Sequence, residues 1–386
     1  MLLIQTMKFC KTCLFQEINP IPISFNKDGI CTGCLYSNKK IKVDWKEREN
    51  LFVELINRYK NKYKYDCIVP VSGGKDSYFA AHLAKKYELN ALLVTYHSKR
   101  YLPEGEANLK KMKKIFGFDH IIHSPPEDIL IKMHRIGLKK MGDNNMHNHM
   151  GITTYPNRVA VKLKVPLILW GDQGFTEQGG MHSINDFVEY TAKYRYEHDQ
   201  HGYDWNDFLN IENEKLNKDD LETYIYPDEK NLREIGVRGI YLSNYFFYDG
   251  NLNFKIAKDN YGWQEIGKPF DRTFRTFSNV DDMHENGIHD YLKFIKFGFG
   301  RGTDHANYEV RLKNISKEEG VKLVLKYDHV TPSDLNGWCK YVKMTKDEFY
   351  FHADKFRDPR VWSKKQGFWS KQDVDGKIRS YHKVRN

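Results

Sequence analysis

Four short apolar segments alternate with helical patterns between residues 46 and 185. They are the predicted strands Cys67–Val71, Ala91–Tyr96, His120–His123 and Pro166–Trp170. Between the first two strands, apolar residues recur at helical spacing, which predicts one buried stripe made of Phe79, Ala80, Leu83, Ala84 and Tyr87. Alternating strands and helices predict an α/β fold with a doubly wound parallel sheet. Pro70 removes a hydrogen-bond donor from the first strand, so we expect a bulge or a strand end there.

The segments on either side of this region have other patterns. Residues 1–45 contain paired cysteines and turn-forming residues with little helical periodicity, which indicates a small loop-rich module. Residues 186–386 are rich in aromatic and charged residues without a regular strand–helix alternation, so we expect a mostly helical C-terminal lobe that binds substrate or a partner. The predicted organisation is therefore a module over 1–45, an α/β domain over 46–185 and a C-terminal region over 186–386.

Composition narrows the class of protein. Of 386 residues, 40% are hydrophobic and 29% are charged, which is typical of a folded globular chain. The sequence lacks the run of roughly 18 apolar residues that a membrane span needs. The residues from Met1 onward lack the basic region and the cleavage site of a signal peptide, so we expect a cytoplasmic protein without a membrane span. The sequence leaves open whether translation starts at Met1 or at Met7. The net charge of +10 would suit an anionic partner, but a solvated lysine-rich surface explains it better because like charges do not cluster.

The hexapeptide after the first strand is the most informative segment. It reads, in order, Ser72, Gly73, Gly74, Lys75, Asp76 and Ser77. Glycines tolerate positive φ and lack a Cβ, so their N–H groups can converge on an anion together with the open N–H groups of the next helix. The serines add hydroxyl donors, Lys75 adds positive charge, and Asp76 caps the helix or faces a phosphate-bound Mg²⁺. This pattern predicts a phosphate-binding loop. The alternative is a glycine turn that only connects strand to helix.

A strand followed by Ser-Gly-Gly-x-Asp-Ser and a helix resembles the PP-loop ATP pyrophosphatase superfamily, over about residues 60 to 175. The loop matches neither the G-x-x-x-x-G-K-[ST] nor the G-x-G-x-x-G pattern. The resemblance implies an adenine nucleotide alpha hydrolase-like fold, ATP and Mg²⁺ as cofactors, and cleavage of ATP between its α and β phosphates. The substrate would be activated as an adenylate, and a nitrogen or sulfur nucleophile would displace AMP. Predicted ATP-binding residues are the six loop residues, Tyr96 and Gly171.

Four of the six cysteines form two CxxC pairs near the N-terminus. They are Cys10, Cys13, Cys31 and Cys34, with seventeen residues between the pairs. Four thiolates at this spacing can enclose Zn²⁺ tetrahedrally, and a site without an open position has a structural role. This pattern predicts a zinc-ribbon-like module, with an iron–sulfur cluster as the less favoured alternative.

The remaining cysteines restrict the choice of enzyme. Only Cys67 and Cys339 are left, and neither lies in a CxxC pair or in a small-residue turn that would expose a nucleophile. Sulfur transfer is therefore disfavoured, and ammonia, if it is used, has to come from outside this chain.

The whole chain looks like the N-acetyl sugar amidotransferases of the PseA and WbpG type. The resemblance runs through the two CxxC pairs, Tyr65–Ser77, Trp170–Asp172, Tyr291–His305 and Glu309–Arg311. It implies that ATP activates the amide oxygen of a sugar acetamido group and that ammonia from a separate, imidazole-glycerol-phosphate-synthase-like glutaminase replaces it, giving an acetamidino group. Such enzymes act in surface-polysaccharide and flagellin-glycan pathways of the pseudaminic acid type. The sequence differs from the family at Asp172 and within Glu177–Gly180, so the identity of the sugar substrate stays open.

Candidate site residues follow from this resemblance and from local chemistry. The predicted catalytic residues are Lys75, Asp76, Asp172 and Glu177. The general base that deprotonates attacking ammonia is Asp172, Glu177 or His305, and the sequence does not choose among them. Predicted substrate-binding residues are His147, Arg301, His305 and Arg311, the arginines being suited to a sugar carboxylate.

Other interpretations stay open. His147 and His149 are two residues apart, which suggests a metal, but a third ligand at helical spacing is missing and a polar substrate loop is favoured. The glycine-rich segment Gly298–Gly302 is either a flexible turn or part of an anion site. A tRNA-modifying enzyme of the same superfamily is the alternative function, although nucleic acid is disfavoured as a partner. An inactive scaffold for a glutaminase is a third possibility, against which the intact phosphate loop argues.

Overall fold

A six-stranded mixed sheet forms the centre of the fold. The computed structural model describes residues 6–211, 213–278 and 283–385. The strands are β1 Cys67–Pro70, β2 Ala91–Tyr96, β3 Asp119–His123, β4 Leu167–Trp170, β5 Glu189–Tyr190 and β6 Arg238–Tyr241. Their order is β3-β2-β1-β4-β6-β5, parallel throughout except that β5 runs antiparallel to β6. The predicted α/β class and its four strands are confirmed, and Pro70 is the last residue of β1, as expected.

The first six helices precede or alternate with the first four strands. They are α1 Thr32–Lys40, α2 Trp45–Asn57, α3 Lys75–Lys86, α4 Pro103–Phe116, α5 Glu127–Ile136 and α6 Met146–Leu163. The predicted stripe on α3 is confirmed, because Phe79, Ala80, Leu83 and Ala84 are buried and Tyr87 packs against the same cluster. Strands β1, β2 and β4 contribute to that core from the sheet side. Burial of these apolar faces is the main force that fixes the helices on the sheet.

The order of the strands reverses direction between β1 and β4. The chain proceeds outward from β1 to β3 on one side and from β4 to β6 on the other. Such a reversal leaves a crevice at the carboxyl ends of the two central strands, where α/β proteins bind their ligands. The segment after β1 is the glycine-rich hexapeptide, and the segment after β4 begins with Gly171 and Asp172, so both predicted loops meet at this crevice.

The region after β4 is mainly helical, as predicted. Its helices are α7 Gly174–Gly179, α8 Ala192–Tyr194, α9 Glu229–Ile235, α10 Gly250–Tyr261, α11 Met283–Phe297, α12 Arg301–Arg311, α13 Lys317–Tyr327, α14 Leu335–Tyr341 and α15 Lys346–Ala353. Two strands beyond residue 185, β5 and β6, nevertheless extend the central sheet. A second, antiparallel sheet follows, with β7 Ser363–Lys365, β8 Phe368–Gln372 and β9 Ile378–Lys383. The boundary at residue 185 remains a proposal about domain organisation.

A second apolar core lies among the C-terminal helices. Trp338 of α14 and Phe349 of α15 are fully buried and contact each other edge to face. Helix α11 packs against both helices, which fixes its position relative to the rest of the C-terminal region.

None of the described helices is long and apolar enough to cross a lipid bilayer. The predicted start at Met1 lies outside the described residues.

Candidate functional site

The glycine-rich hexapeptide forms a tight loop between β1 and α3. Gly73 has a φ of +89°, and a Cβ at this position would lie 2.9 Å from the backbone nitrogen of Leu109. Both facts require glycine, because side chains disfavour this conformation and the neighbouring backbone leaves no space. Gly74 is the N-cap of α3 with a φ of −69°, so positive φ is confined to the first glycine.

Hydrogen bonds inside the loop hold its shape. The backbone N–H of Ser72 donates to Oγ of Ser77 over 2.9 Å, and the N–H of Gly74 donates to Oγ of Ser72 over 3.3 Å. The indole of Trp263 donates to the carbonyl oxygen of Gly73 over 2.9 Å. Since the N-cap is a glycine without a side-chain acceptor, the first turn of α3 keeps N–H groups available for an anion.

Lys75 and Asp76 open α3 as an ion pair, with Nζ and Oδ2 separated by 2.5 Å. The amide of Asn253 on α10 donates to the other oxygen, Oδ1 of Asp76, over 2.8 Å. Burial by itself would raise the pKa of Asp76, but Lys75 and Asn253 outweigh it and hold that pKa below its ordinary value. Asp76 is therefore a carboxylate at neutral pH, held in one orientation.

A cavity of about 260 Å³ opens in front of this loop. Its walls combine the phosphate loop, the segment after β4, the start of α10, the segment before α11, and α12. The lining residues are Ser72, Gly74, Lys75, Asp76, Ser77, Asp172, Glu177, Gln178, Tyr248, Asp249, Gly250, Arg275, Phe277, Ser278, Arg301, Asp304, His305 and Tyr308. The structure thus brings together the four predicted catalytic residues with Arg301 and His305.

Two acidic residues face each other across the segment that follows β4. The pKa of Asp172 is raised to about 7, mainly by burial and then by the nearby carboxylates of Asp76 and Glu177, while Lys75 lowers it. Glu177 is buried on α7, where Nζ of Lys40 lies 2.5 Å from its Oε2 and the Tyr36 hydroxyl donates to Oε1 over 3.2 Å. Asp172 can therefore gain or lose a proton near neutral pH, whereas Glu177 is an ion-paired residue.

The opposite wall of the cavity is cationic. Arg301 forms ion pairs with Asp290 over 2.7 Å and with Asp304 over 3.5 Å, so much of its donor capacity is used within α11 and α12. The ring of His305 shares a hydrogen bond of 2.6 Å between Nδ1 and the Thr273 hydroxyl. Burial lowers the pKa of His305 well below its ordinary value, and the surrounding arginines lower it further. His305 is therefore a neutral imidazole at neutral pH.

Sequence reasoning missed several lining residues. Arg275 is paired with Glu309, and its guanidinium lies 5.2 Å from the ring centre of Phe277. Both belong to a segment without regular periodicity, so the sequence alone offered no signal for them. Tyr248 was noticed only as one of many aromatic residues, yet its hydroxyl would lie 2.9 Å from a Cβ at Gly171, which explains a glycine at that position.

A second cavity, of about 310 Å³, adjoins the first at the carboxyl ends of β1, β4 and β6. The two cavities share Asp76, Ser77, Asp172 and Tyr248. Aromatic side chains dominate the second cavity, namely Trp170, Phe175, Tyr190, Tyr194 and Tyr241. Gly171 and His149 also line it. A polar loop next to an aromatic pocket can accommodate a molecule with phosphates at one end and a planar ring at the other.

Three predicted site residues lie elsewhere. Tyr96 at the end of β2 and His147 on α6 are buried, and the Tyr96 hydroxyl lies 3.0 Å from Nδ1 of His147 and 2.8 Å from the Tyr224 hydroxyl. Neither residue is among those that line the two cavities. Arg311 projects from α12 toward the cysteine pairs instead of the cavity. These three residues do not line either of the two cavities, so the structure does not support the predictions that they bind ATP or substrate.

The four N-terminal cysteines converge on one point. All four sulfurs lie within 4.8 Å of one another, with Cys10 and Cys34 at 3.9 Å and Cys13 and Cys31 at 3.6 Å. A tetrahedral zinc site with Zn–S bonds of about 2.3 Å requires sulfurs about 3.8 Å apart, so the arrangement could hold a zinc ion. The guanidinium of Arg311 lies 3.7 Å from the sulfur of Cys13 and 3.6 Å from that of Cys31. A buried cation next to the sulfurs favours their thiolate form.

The cysteine module is joined to the cavity through α7. The Thr32 hydroxyl donates to the carbonyl oxygen of Gly179 over 2.6 Å, and Arg311 donates to the carbonyl oxygen of Gln178 over 2.7 Å. A Cβ on Gly33 would lie 2.2 Å from that same Gln178 oxygen, so the two segments are in close contact. Glu177, on this helix, is the partner of Lys40 from α1. The cysteine module therefore determines where α7 lies against the cavity.

Two of the solved structures that this chain resembles are each 13% identical to it in sequence. A predicted subunit of a tRNA methyltransferase from Methanocaldococcus jannaschii has a TM-score of 0.26, and the alignment covers 56% of this chain and 84% of the other. An NMN synthetase from Francisella tularensis has a TM-score of 0.28, with 56% and 96% covered. At these TM-scores the likeness carries no conclusion about function.

Two sequence comparisons each match a limited part of the chain. An uncharacterized protein of Methanocaldococcus jannaschii is 32% identical over 114 residues, which are 29% of this chain and 41% of that relative. The chain thus spans about two fifths of the length of the curated relative that it matches. Residues 271–374, which include Arg275, α11 and α12, match the model of the C-terminal domain of WbpG-like lipopolysaccharide biosynthesis proteins. The cationic wall of the cavity therefore belongs to a segment similar to a glycan-biosynthesis domain.

Proposed function

We propose that this chain is an ATP-dependent amidotransferase that converts an acetamido group on a sugar into an acetamidino group. The single observation that carries the proposal is the shared cavity: a phosphate loop of the Ser-Gly-Gly-x-Asp-Ser type forms one wall, and a segment similar to a glycan-biosynthesis domain forms the other. The product would serve a bacterial surface glycan or flagellin glycan, of the pseudaminic acid type. We place the enzyme in the cytoplasm, where ATP and activated sugars are available.

The two adjoining cavities suit the two ends of ATP. The N–H groups of the loop and Lys75 would hold the triphosphate, and the aromatic cavity beside Gly171 would take the adenosine. Asp76 is ionised, so its carboxylate suits a hard cation. Mg²⁺ held there with the phosphates would offset charge at the α-phosphate. The cysteine module would hold a structural Zn²⁺.

The proposed reaction has two steps, an adenylation and a displacement by ammonia. The amide oxygen of the sugar attacks the α-phosphorus, the bond from that phosphorus to the bridging oxygen of the β-phosphate breaks, and pyrophosphate leaves. Ammonia then adds to the activated carbon and AMP leaves with the former amide oxygen. Cationic side chains at the cavity wall, Lys75 and Arg275 among them, stabilise negative charge that grows at phosphorus. Loss of a proton from the attacking nitrogen completes the exchange.

Asp172 is our choice for the group that accepts this proton. A general base works best when its pKa lies near the working pH, and the pKa of Asp172 is raised to about 7. Glu177 is less suitable because Lys40 and Tyr36 already occupy its oxygens. His305 is neutral, and Nδ1 is engaged by Thr273, so this ring is better suited to contact the sugar.

Ammonia would come from a separate glutaminase. Outside the N-terminal quartet, Cys67 lies on β1 and Cys339 on α14, both buried, and neither lines the two cavities. Burial raises the pKa of the Cys67 thiol, which disfavours the thiolate that a glutaminase nucleophile needs. The same placement argues against a persulfide carrier, and so against the sulfur-transferring tRNA enzymes.

The test is mass spectrometry of the purified chain with ATP, Mg²⁺, ammonium and a panel of N-acetylated nonulosonic acids and UDP-N-acetyl sugars. We expect AMP and pyrophosphate, together with a sugar whose mass falls by the difference between an oxygen atom and an NH group. An Asp76→Asn variant is the matched control and should form neither product. Release of ADP and phosphate, or AMP formation that depends on tRNA instead of a sugar, would contradict the proposal.

A further inference from the structure

Asp143, His149 and His289 converge next to the aromatic cavity, which His149 lines. Asp143 lies just before α6, His149 lies in the first turns of α6, and His289 lies on α11. One ligand atom from each of the three residues lies within 4.8 Å of the others. The rings of His149 and His289 are 5.2 Å apart between their centres. Two imidazoles and a carboxylate are a common ligand set for divalent transition metals.

Hydrogen bonds already orient two members of this triad. Nδ1 of His289 lies 2.8 Å from Oδ1 of Asp143, and the same oxygen accepts the backbone N–H of Asn145 over 2.8 Å. The side chain of Asn145 in turn donates to Asn286 on α11 over 3.2 Å. The start of α6 and the helix that carries His289 are therefore fixed relative to each other. A site built on two helices is more rigid than one built on loops.

The third member of the triad faces the aromatic cavity. His149 is half-buried and lines that cavity, so an ion or a ligand that enters the cavity can reach its ring. A metal ion between the three side chains would join His149 to the pair that Asp143 and His289 already form.

We propose that Asp143, His149 and His289 bind one divalent transition-metal ion, distinct from the cysteine site. On binding, Nδ1 of His289 exchanges its hydrogen bond to Asp143 for the metal, and its ring proton resides on Nε2. Three protein ligands leave at least one coordination position for water or a ligand oxygen. His149 lines the cavity that shares Asp76 and Asp172 with the phosphate loop, so this position borders the proposed nucleotide site.

The neighbouring charges define the competing explanation. Lys296 lies seven residues after His289 on the same helix and interacts electrostatically with Asp143. Arg301 is also near His149, but Asp290 and Asp304 already pair with it. If Asp143 only balances the charge of Lys296 and accepts from His289, the triad is a structural network and binds no metal. The two explanations predict different numbers of metal ions bound per chain.

The experiment measures zinc per chain on intact protein after equilibration with Zn²⁺ and removal of the excess. We expect about two zinc ions per chain in the unaltered protein, one at the four cysteines and one between Asp143, His149 and His289. His149→Gln and Asp143→Asn should each retain about one, whereas His352→Ala, a control on α15, should retain two. One zinc in the unaltered protein, or two in both variants, would overturn the proposal.

A second measurement does not depend on whether the variants fold. Crystals of the unaltered protein exposed to Zn²⁺ should give an anomalous peak between Asp143, His149 and His289 in addition to the peak at the cysteines. Lack of the first peak with the second present would refute the site. Because neither measurement uses turnover, a failure here leaves the proposed amidotransferase reaction untouched, and a failure of that reaction leaves the metal site untouched.

Discussion

Replacing Asp172 by asparagine should stabilise the fold while it lowers activity. The pKa of Asp172 is raised from 3.8 to about 7, mainly by burial and then by Asp76 and Glu177. Each pKa unit corresponds to about 1.4 kcal/mol, so ionising this group in the folded protein costs roughly 4 kcal/mol. The two neighbouring carboxylates share that cost and water reaches the cavity, so we expect Asp172→Asn to raise the free energy of unfolding by about 2–4 kcal/mol at pH 8.

The sign of the pH dependence follows from the two states. Below pH 3.8 Asp172 is protonated in the folded and unfolded chain, so the substitution should have little effect. Between pH 3.8 and about 7 the unfolded chain has released this proton and the folded chain still holds it, so stability falls as pH rises. Asparagine does not titrate. Its stabilising effect should therefore grow from pH 4 and level off above about pH 7.

Urea unfolding at several pH values between 4 and 8 tests this expectation. Asp259→Asn, an exposed position on α10, is the matched control and should change stability by less than about 0.5 kcal/mol at every pH. In the amidotransfer assay with the concentration of neutral ammonia held constant, the rate of the unaltered enzyme should rise with pH through about 7, and Asp172→Asn should remove that rise. An Asp172→Asn protein that is less stable than the unaltered one at pH 8, or equally active, would refute the reasoning.

Three further predictions concern the surroundings of the cavity. Gly73→Ala should weaken ATP binding by about tenfold or more in calorimetry, because its φ of +89° and the nearby Leu109 backbone exclude a Cβ. Gly117→Ala, also at positive φ but with open space around it, should leave ATP binding unchanged; equal losses in both would contradict this account. Lys40→Met should lower the free energy of unfolding by about 3–5 kcal/mol in urea, since it leaves the buried Glu177 unpaired. Adding Glu177→Gln should recover much of that loss. If the losses of the two single variants simply add in the double variant, the ion pair between Lys40 and Glu177 does not explain the effect. In the Asp143→Asn variant, which keeps only the cysteine site for zinc, removing that metal with a chelator should weaken ATP binding, and restoring Zn²⁺ should recover it; ATP affinity that is indifferent to zinc would show that α7 holds its position without the module.

Local patterns explain how much of this protein the sequence could predict. The stripe on α3, the strands around it and the loop at residues 72–77 depend on neighbours within a few positions, so periodicity and glycine placement were sufficient. The cysteine pairs were equally clear because thiolates at such spacing have few other uses. Strand β6 was missed, since its four residues Arg238–Tyr241 include a glycine and an arginine and are stabilised by pairing with β4.

Contacts between distant segments could not be predicted in this way. His149 stood out in the sequence, but its partner His289 is 140 positions away on α11, so the metal hypothesis lacked a third ligand. Arg311 was expected at the substrate because arginine suits a carboxylate. In the fold it instead contacts Cys13 and Cys31, where its charge balances sulfurs. In both cases the chemistry of the side chain was recognised, and packing decided which partner it has.

Helix α12 connects the three parts of the chain at one place. Its N-terminal half brings His305 to the cavity, while its last residue, Arg311, contacts two cysteines and the carbonyl oxygen of Gln178 on α7. A shift of the cysteine module would therefore move α7 and α12 together, and with them opposite walls of the same cavity. Zinc bound by four thiolates carries a net negative charge, which Arg311 partly offsets, so metal loss would leave thiolates that repel one another or take up protons and would change their contact with Arg311. The cysteine site can thus affect ATP binding without contacting ATP, through the position of the two helices that line the cavity in front of the phosphate loop.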